Sequence, residues 1–172
     1  MRKFFTLLLP AFFLVSFISA DLKPVDADNA VSFAIKNFGI NTNGEFKGLK
    51  GVIKWDNANP AASVFNVTVD ANTINTGIDM RDDHLRDEDY FNVKKYPVIS
   101  FVSTAVTAGN ITGNLTIKGT TKQVSFPFTV TPSNGSYLFE GSFTINRRDF
   151  GIGSSSMSLG NNVTVTLKVQ AK

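Results

Sequence analysis

The stretch Asn75–Asn92, NTGIDMRDDHLRDEDYFN, concentrates the groups of this chain that could do chemistry. Six carboxylates, two arginines and the only histidine fall within it. Acid–base catalysis would pair His84 with a neighbouring carboxylate. A zinc site would have to combine His84 with carboxylates alone, because the chain has no cysteine. A calcium loop wants oxygen ligands at alternating positions around a central glycine, and Asp87-Glu88-Asp89 lacks that glycine. A serine triad has no nucleophile-elbow sequence to support it. Paired carboxylates for glycoside hydrolysis occur in any acidic cluster and carry little signal.

The same residues also read as a structural device. Their spacing fits a short helix with Asp79 as N-cap and Asp82 and Asp83 in the first turn, where negative charge is favoured. Asp82 with Arg86, and Asp83 with Arg86, have the spacing of ion pairs worth about 0.2–0.5 kcal/mol each. Pro97 stops any helix. In this reading Arg81, Asp82 and Arg86 pair with neighbouring loops, and His84 is a hydrogen-bonded, partly buried side chain.

The elements that must position this insert are strands. Val31, Phe33 and Ile35 alternate with Ser32, Ala34 and Lys36. Similar runs cover Val52–Trp55, Phe65–Val69, Ile99–Phe101, Ile111–Ile117, Val124–Val130, Tyr137–Ile145 and Val163–Val169. Gly44, Gly48 and Gly51 mark a turn before Val52, and further turn signals lie at Ala108-Gly109-Asn110, Lys118-Gly119 and Pro132–Gly135. About eight strands with short connections predict an all-β, eight-stranded antiparallel barrel or sandwich, with a short helical insert around residues 79–91. Closing the sheet removes the exposed edges of such apolar strands. No repeat or linker divides residues 21–172.

Residues 1–20 read as a secretory signal peptide. Arg2 and Lys3 precede the mostly apolar Phe4–Ile18, and Ser19-Ala20 gives a small-residue exit. The apolar run is short for a membrane span, so no stable membrane anchor is expected. Cleavage near Ala20 predicts a periplasmic or secreted protein, with the periplasm favoured. Without Arg2 and Lys3 the chain carries fifteen basic and fourteen acidic residues. A nearly neutral domain has no electrostatic footprint for nucleic acid. The absence of cysteine leaves the core alone to hold the fold, and about 150 residues suffice. Asn-x-Ser/Thr triplets at Asn66, Asn110, Asn114, Asn134 and Asn162 have the form of glycosylation sites, but most fall in register with outward strand positions.

The apolar face is rich in phenylalanine: eleven of the 16 lie beyond residue 20. They either fill a core or line a ligand space, since an eight-stranded barrel has room for one small ligand. Periodicity does not choose between the two.

Several motifs in order are more specific. Val31–Lys36, Gly44-Glu45-Phe46-Lys47-Gly48 and Ile74–Gly77 with Arg81-Asp82-Asp83-His84-Leu85 form the first group. Asp89–Val93, Tyr96–Phe101, Gly113–Gly119 with Thr121-Lys122, and Arg147–Ile152 follow. Together they cover nearly all of residues 21–172, and the chain resembles the YceI-like family of exported, lipocalin-like barrel proteins. Thr73 stands where the family usually has serine. The resemblance implies an interior that holds a polyisoprenoid, isoprenoid quinone or fatty-acid-like lipid, for transport or storage. It implies no catalytic activity and no cofactor, and it allows a homodimer.

The leading expectation is therefore a lipid-binding protein, with an enzyme using His84 and neighbouring carboxylates, or a structural domain with a filled core, as alternatives. Alternation assigns Phe33, Ile35, Trp55, Phe65, Val67 and Phe101 to the ligand-facing side. Leu115, Ile117, Phe126, Phe128, Phe143 and Phe150 join them. Met80 and Phe91 are expected at a mouth, where methionine adapts to irregular apolar shapes. Arg81 or His84 is expected to meet a polar head group.

Overall fold

Alternating apolar residues become strands wherever one face is covered. A computed structural model describes residues 21–172; the expected signal peptide, residues 1–20, lies outside the described residues. The strands are β1 (Asp21–Leu22), β2 (Val31–Asn37), β3 (Ile40–Phe46), β4 (Lys50–Lys54) and β5 (Val64–Asp70). A single α-helix among the described residues, α1 (Asp79–Arg86), precedes β6 (Val98–Val106), β7 (Asn110–Ile117), β8 (Thr120–Ser133), β9 (Ser136–Asn146) and β10 (Leu159–Ala171). They form one antiparallel sheet in the order β1-β4-β5-β6-β7-β8-β9-β10-β2-β3.

The sheet curls into a lipocalin-like barrel. Ile40–Lys54 serves both ends of the strand order: β3 pairs with β2, and β4 pairs with β5. The segment after β1 closes the remaining gap. Leu22 pairs with Ile53 on β4, and Pro24 pairs with Ala171 on β10. The Lys23 N–H donates to Lys172 O at 2.8 Å and the Val25 N–H to Gln170 O at 2.7 Å. The Asp26 carboxylate then accepts from the amides of Gly48 and Leu49, and Lys47 pairs with Asp28.

Register places the connections at two ends. The upper end holds the β2–β3 and β7–β8 turns, the whole β5–β6 connection with α1, and the β9–β10 connection. The lower end holds the β6–β7 and β8–β9 turns and both sides of the Pro24–Ala171 bridge. Along β7 the inward Ile111, Leu115 and Ile117 are buried while Asn114 faces solvent, as alternation predicts.

The observed strands number ten where eight were expected. β1 is too short to show a period. β3 was read as a glycine turn because Ile40-Asn41-Thr42-Asn43-Gly44-Glu45-Phe46 does not alternate. Gly44 is instead a strand residue opposite Phe33, and a Cβ there would stand 2.4 Å from the Phe33 ring. The ring occupies the space that a side chain would take. Gly113 makes the same room for Phe101, again at 2.4 Å.

Candidate functional site

The inward faces enclose a cavity of about 630 Å³ that opens at the upper end. Its size lies in the range of small-molecule sites, about 300–1,000 Å³. Phe33, Ile35, Phe65 and Val67 line it from β2 and β5, and Phe101 from β6. Leu115, Ile117, Phe126, Phe128 and Phe143 complete the wall from β7, β8 and β9. Phe126 and Phe143 stack with ring centroids 4.5 Å apart, and Phe101 leans on Phe126 at 5.8 Å. Phe91 reaches in from the α1 connection and meets Phe46 edge-on at 5.5 Å.

Three expected ligand-facing residues lie elsewhere. Trp55 is buried beneath the floor, edge-on to Phe128 at 5.9 Å and to Phe139 at 5.8 Å. Its neighbours face the space and Trp55 supports them, because β4 ends at Lys54 and turns the indole below the wall. Phe150 is packed in a second cluster with Leu115, Ile117, Ile145 and Ile152, under the short 3₁₀ turn Arg147–Phe150. Met80 is 84% exposed, since the first turn of α1 points it to solvent.

The acidic insert is anchored differently from expectation. Ile78, not Asp79, is the N-cap, and it supplies no side-chain bond. Asp82 turns inward, 4% exposed, and accepts from the Thr76 N–H at 2.9 Å and from the Thr76 hydroxyl. It therefore does not pair with Arg86. Arg81 donates to the Thr76 hydroxyl and carbonyl oxygens, both at 2.7 Å. Arg86 keeps the expected ion pair with Asp83 at 2.8 Å and also donates to the carbonyls of Asn72 and Ile74. Arg81, Asp82 and Arg86 thus bond mainly to the strand exit the insert grows from instead of forming ion pairs with neighbouring loops. Lys118 and the Gly153 N–H tie its far end, at the carbonyls of Glu88 and Asp89, to the β7–β8 and β9–β10 connections.

His84 stands on the cavity rim with its ring 4.8 Å from that of Tyr90. Its side chain is 62% exposed, so the partly buried, hydrogen-bonded histidine does not form. Asp87 is its nearest carboxylate, at a loose 3.9 Å. Among the described residues no three histidine, aspartate or glutamate side chains converge as a metal site requires.

Arg81 and His84, the residues expected to meet a head group, both border the cavity, but sequence reasoning missed the polar groups on the other side of the mouth. Arg147, 2% exposed, borders the cavity and holds its connection together. Its Nε donates to Gly160 O at 2.9 Å and Nη1 to Ile152 O at 2.7 Å. Nη2 donates to Ser154 O at 3.0 Å and to Asn161 Oδ1 at 3.2 Å. No carboxylate is bonded to it. Burial holds this guanidinium below its ordinary pKa, and the adjacent Arg148 charge adds to the effect. It still stays charged at any ordinary pH. Ser154, Ser155, Ser156 and Ser158 complete this side of the rim. Phe46 and Phe139 also line the wall. Phe139 shares the inward parity of Phe143 and was legible; Phe46 was hidden in the misread turn.

A barrel with an aromatic interior, a helix-bearing β5–β6 connection and a pinned arginine connection agrees with the comparison to known proteins. The YceI-like domain model matches residues 23–171. The chain belongs to the YceI-like family. A UPF0312 protein of Pseudomonas aeruginosa is 38% identical over 141 residues, covering 76% of this chain and 72% of that protein. Protein YceI of Salmonella arizonae is 37% identical over 129 residues, covering 70% of this chain and 67% of its own. Among solved YceI-like folds, Burkholderia cenocepacia BcnA superposes with a TM-score of 0.79 at 31% identity, covering 83% of this chain and 95% of BcnA. A polyisoprenoid-binding domain from Saccharophagus degradans shares the fold at a TM-score of 0.73 and 16% identity, covering 88% of this chain and 97% of that domain.

Proposed function

We propose that this protein holds one long-chain amphiphile in its barrel, polyisoprenoid or similar, for carriage or storage in the periplasm. The observation that carries the reading is the phenylalanine-walled cavity of about 630 Å³, with Arg81, His84, Arg147 and a run of serines at its mouth. Burying an apolar chain there contributes about 0.8 kcal/mol per CH₂, less the cost of ordering it. The polyisoprenoid-binding description of the Saccharophagus degradans domain supports the ligand class. The apolar Phe4–Ile18 segment supports export.

Native mass spectrometry of protein purified from its own cells is the direct test. A lipid-sized mass adduct, identified after extraction, is expected; an empty barrel across preparations refutes the reading. Val67→Trp gives a second test. Val67 lines the cavity, and the larger ring occupies ligand space. Binding of a fluorescent long-chain fatty acid should weaken at least about tenfold while circular dichroism is retained. Phe126→Arg is a poorer probe, because Phe126 lies between Phe101 and Phe143 and would be replaced by a buried, unpaired charge.

We read His84 as a rim residue and the protein as a binder rather than an enzyme. The exposed ring and its loose carboxylate neighbour favour this over acid–base work. His84→Ala should leave fatty-acid affinity within about threefold. Loss of a detectable turnover of bound lipid in that variant would restore the enzyme reading.

A further inference from the structure

We propose that the mouth of the barrel docks on a phospholipid bilayer through three apolar points: Phe38, Ile40 and Met157. The inference rests on the lipid-binding reading and adds the surface from which ligand is exchanged. Phe38 is 80% exposed, Ile40 73%, and Met157 fully so. Phe38 and Ile40 flank the tip of the β2–β3 turn, and Met157 lies in the β9–β10 connection. The two loops are tied together by the Phe38 N–H donating to Ser158 O at 2.8 Å.

The backbone at Phe38 adds an independent argument. Phe38-Gly39 has φ of 49° and 78°, the left-handed pair of a two-residue hairpin. Two other hairpins use the same geometry, with Lys118-Gly119 and Asn134-Gly135. Asparagine suits that position; a bulky aromatic residue is strained there. Such strain, kept beside a site, points to a role outside the fold. At Phe38 the ring gains nothing from burial, yet it lines the cavity mouth and faces solvent at once.

Three features favour a bilayer over a protein partner. The apolar side chains stand as separate tips on convex loops, whereas a stable protein interface needs about 800 Å² of complementary surface per partner. Fluid hydrocarbon needs no such match. The segments 36–41 and 153–160 carry one charge, Lys36, and no carboxylate, so they, and not the acidic α1 connection at the same end, form the side of the mouth that can be desolvated. Finally, Phe38 makes the cavity wall continuous with the inserted surface, so a lipid chain could pass without crossing water.

The test is flotation with vesicles of phosphatidylethanolamine and phosphatidylglycerol, using wild type and Ile40→Ser/Met157→Ser purified from the same cells. Both share one N terminus, so their difference reports the rim. Wild type is expected to float, and the double variant to partition at least about tenfold less. Neither residue lines the cavity. Affinity for a fluorescent fatty acid in vesicle-free solution is therefore expected to be unchanged, and its loss in wild type would fail the ligand reading separately. Phe38→Asn should raise the melting temperature while weakening flotation, a combination that a structural role would not give. Equal flotation of both proteins, or no flotation of wild type, overturns the proposal. So does a rim-dependent dimer in light scattering without vesicle binding.

Discussion

Arg147 shows how one residue can decide a mouth. Its guanidinium replaces water for the carbonyls of Ile152 and Ser154, beyond the 3₁₀ turn, and of Gly160 at the start of β10. Removing it leaves several carbonyls with no donor. Arg147→Met should destabilise the protein by about 3 kcal/mol in urea unfolding, and Arg147→Lys should recover only part of that, because an ammonium cannot span the same fork. The sequence offered a weak signal for this. Arg147-Arg148-Asp149-Phe150-Gly151 stood out as a motif, but neighbouring arginines look alike in a sequence; register alone turns Arg147 inward and leaves Arg148 exposed. Parity was a better guide for apolar residues. It placed Phe33, Phe101, Phe126 and Phe143 on the cavity wall, and it failed at Trp55 and Phe150, where a strand ends and alternation stops meaning direction.

At the scale of elements, α1 is held by its approach more than by its own caps. Asp82 reaches back to Thr76, and Arg81 and Arg86 grip carbonyls of the chain before the helix. Eight residues of helix would be marginal alone. Asp82→Ala should cost about 1–3 kcal/mol and raise amide hydrogen exchange across residues 76–86, with β7 and β8 unaffected. The helix itself was legible from charge spacing. Its partners were not, because Asp82 has two claims on it, Arg86 four residues ahead along the helix and Thr76 six residues behind it, and burial decides for the second. Most strands were legible too. β3 escaped because a strand that gives up a side chain to seat a neighbouring ring loses its period.

For the whole molecule, the seam between β4 and β10 is the place where stability depends on charge. Lys47 bonds Asp28 and lowers its pKa through the hydrogen bond and then through its charge, while Asp28 raises that of Lys47. A lowered carboxylate contributes stability above its unfolded pKa, near 4, and loses it as pH falls through the lower folded value. A raised lysine contributes below its unfolded pKa, near 10.4, and loses it as pH rises through the higher folded value. The pair should thus hold the seam evenly between those limits and fail at both extremes. Asp28→Asn should flatten both flanks of a melting-temperature profile, and the difference from wild type should shrink in high salt, as the pair is exposed. The same seam sets an order of events. Leu22 waits for Ile53, but Pro24 waits for Ala171, the far end of β10. Loop closure over such a distance comes late and slowly. The Pro24–Ala171 pairing needs the far end of β10 in place, so the wall keeps a side gap until late in folding, and a ligand present then meets an open flank before the barrel has a mouth at all.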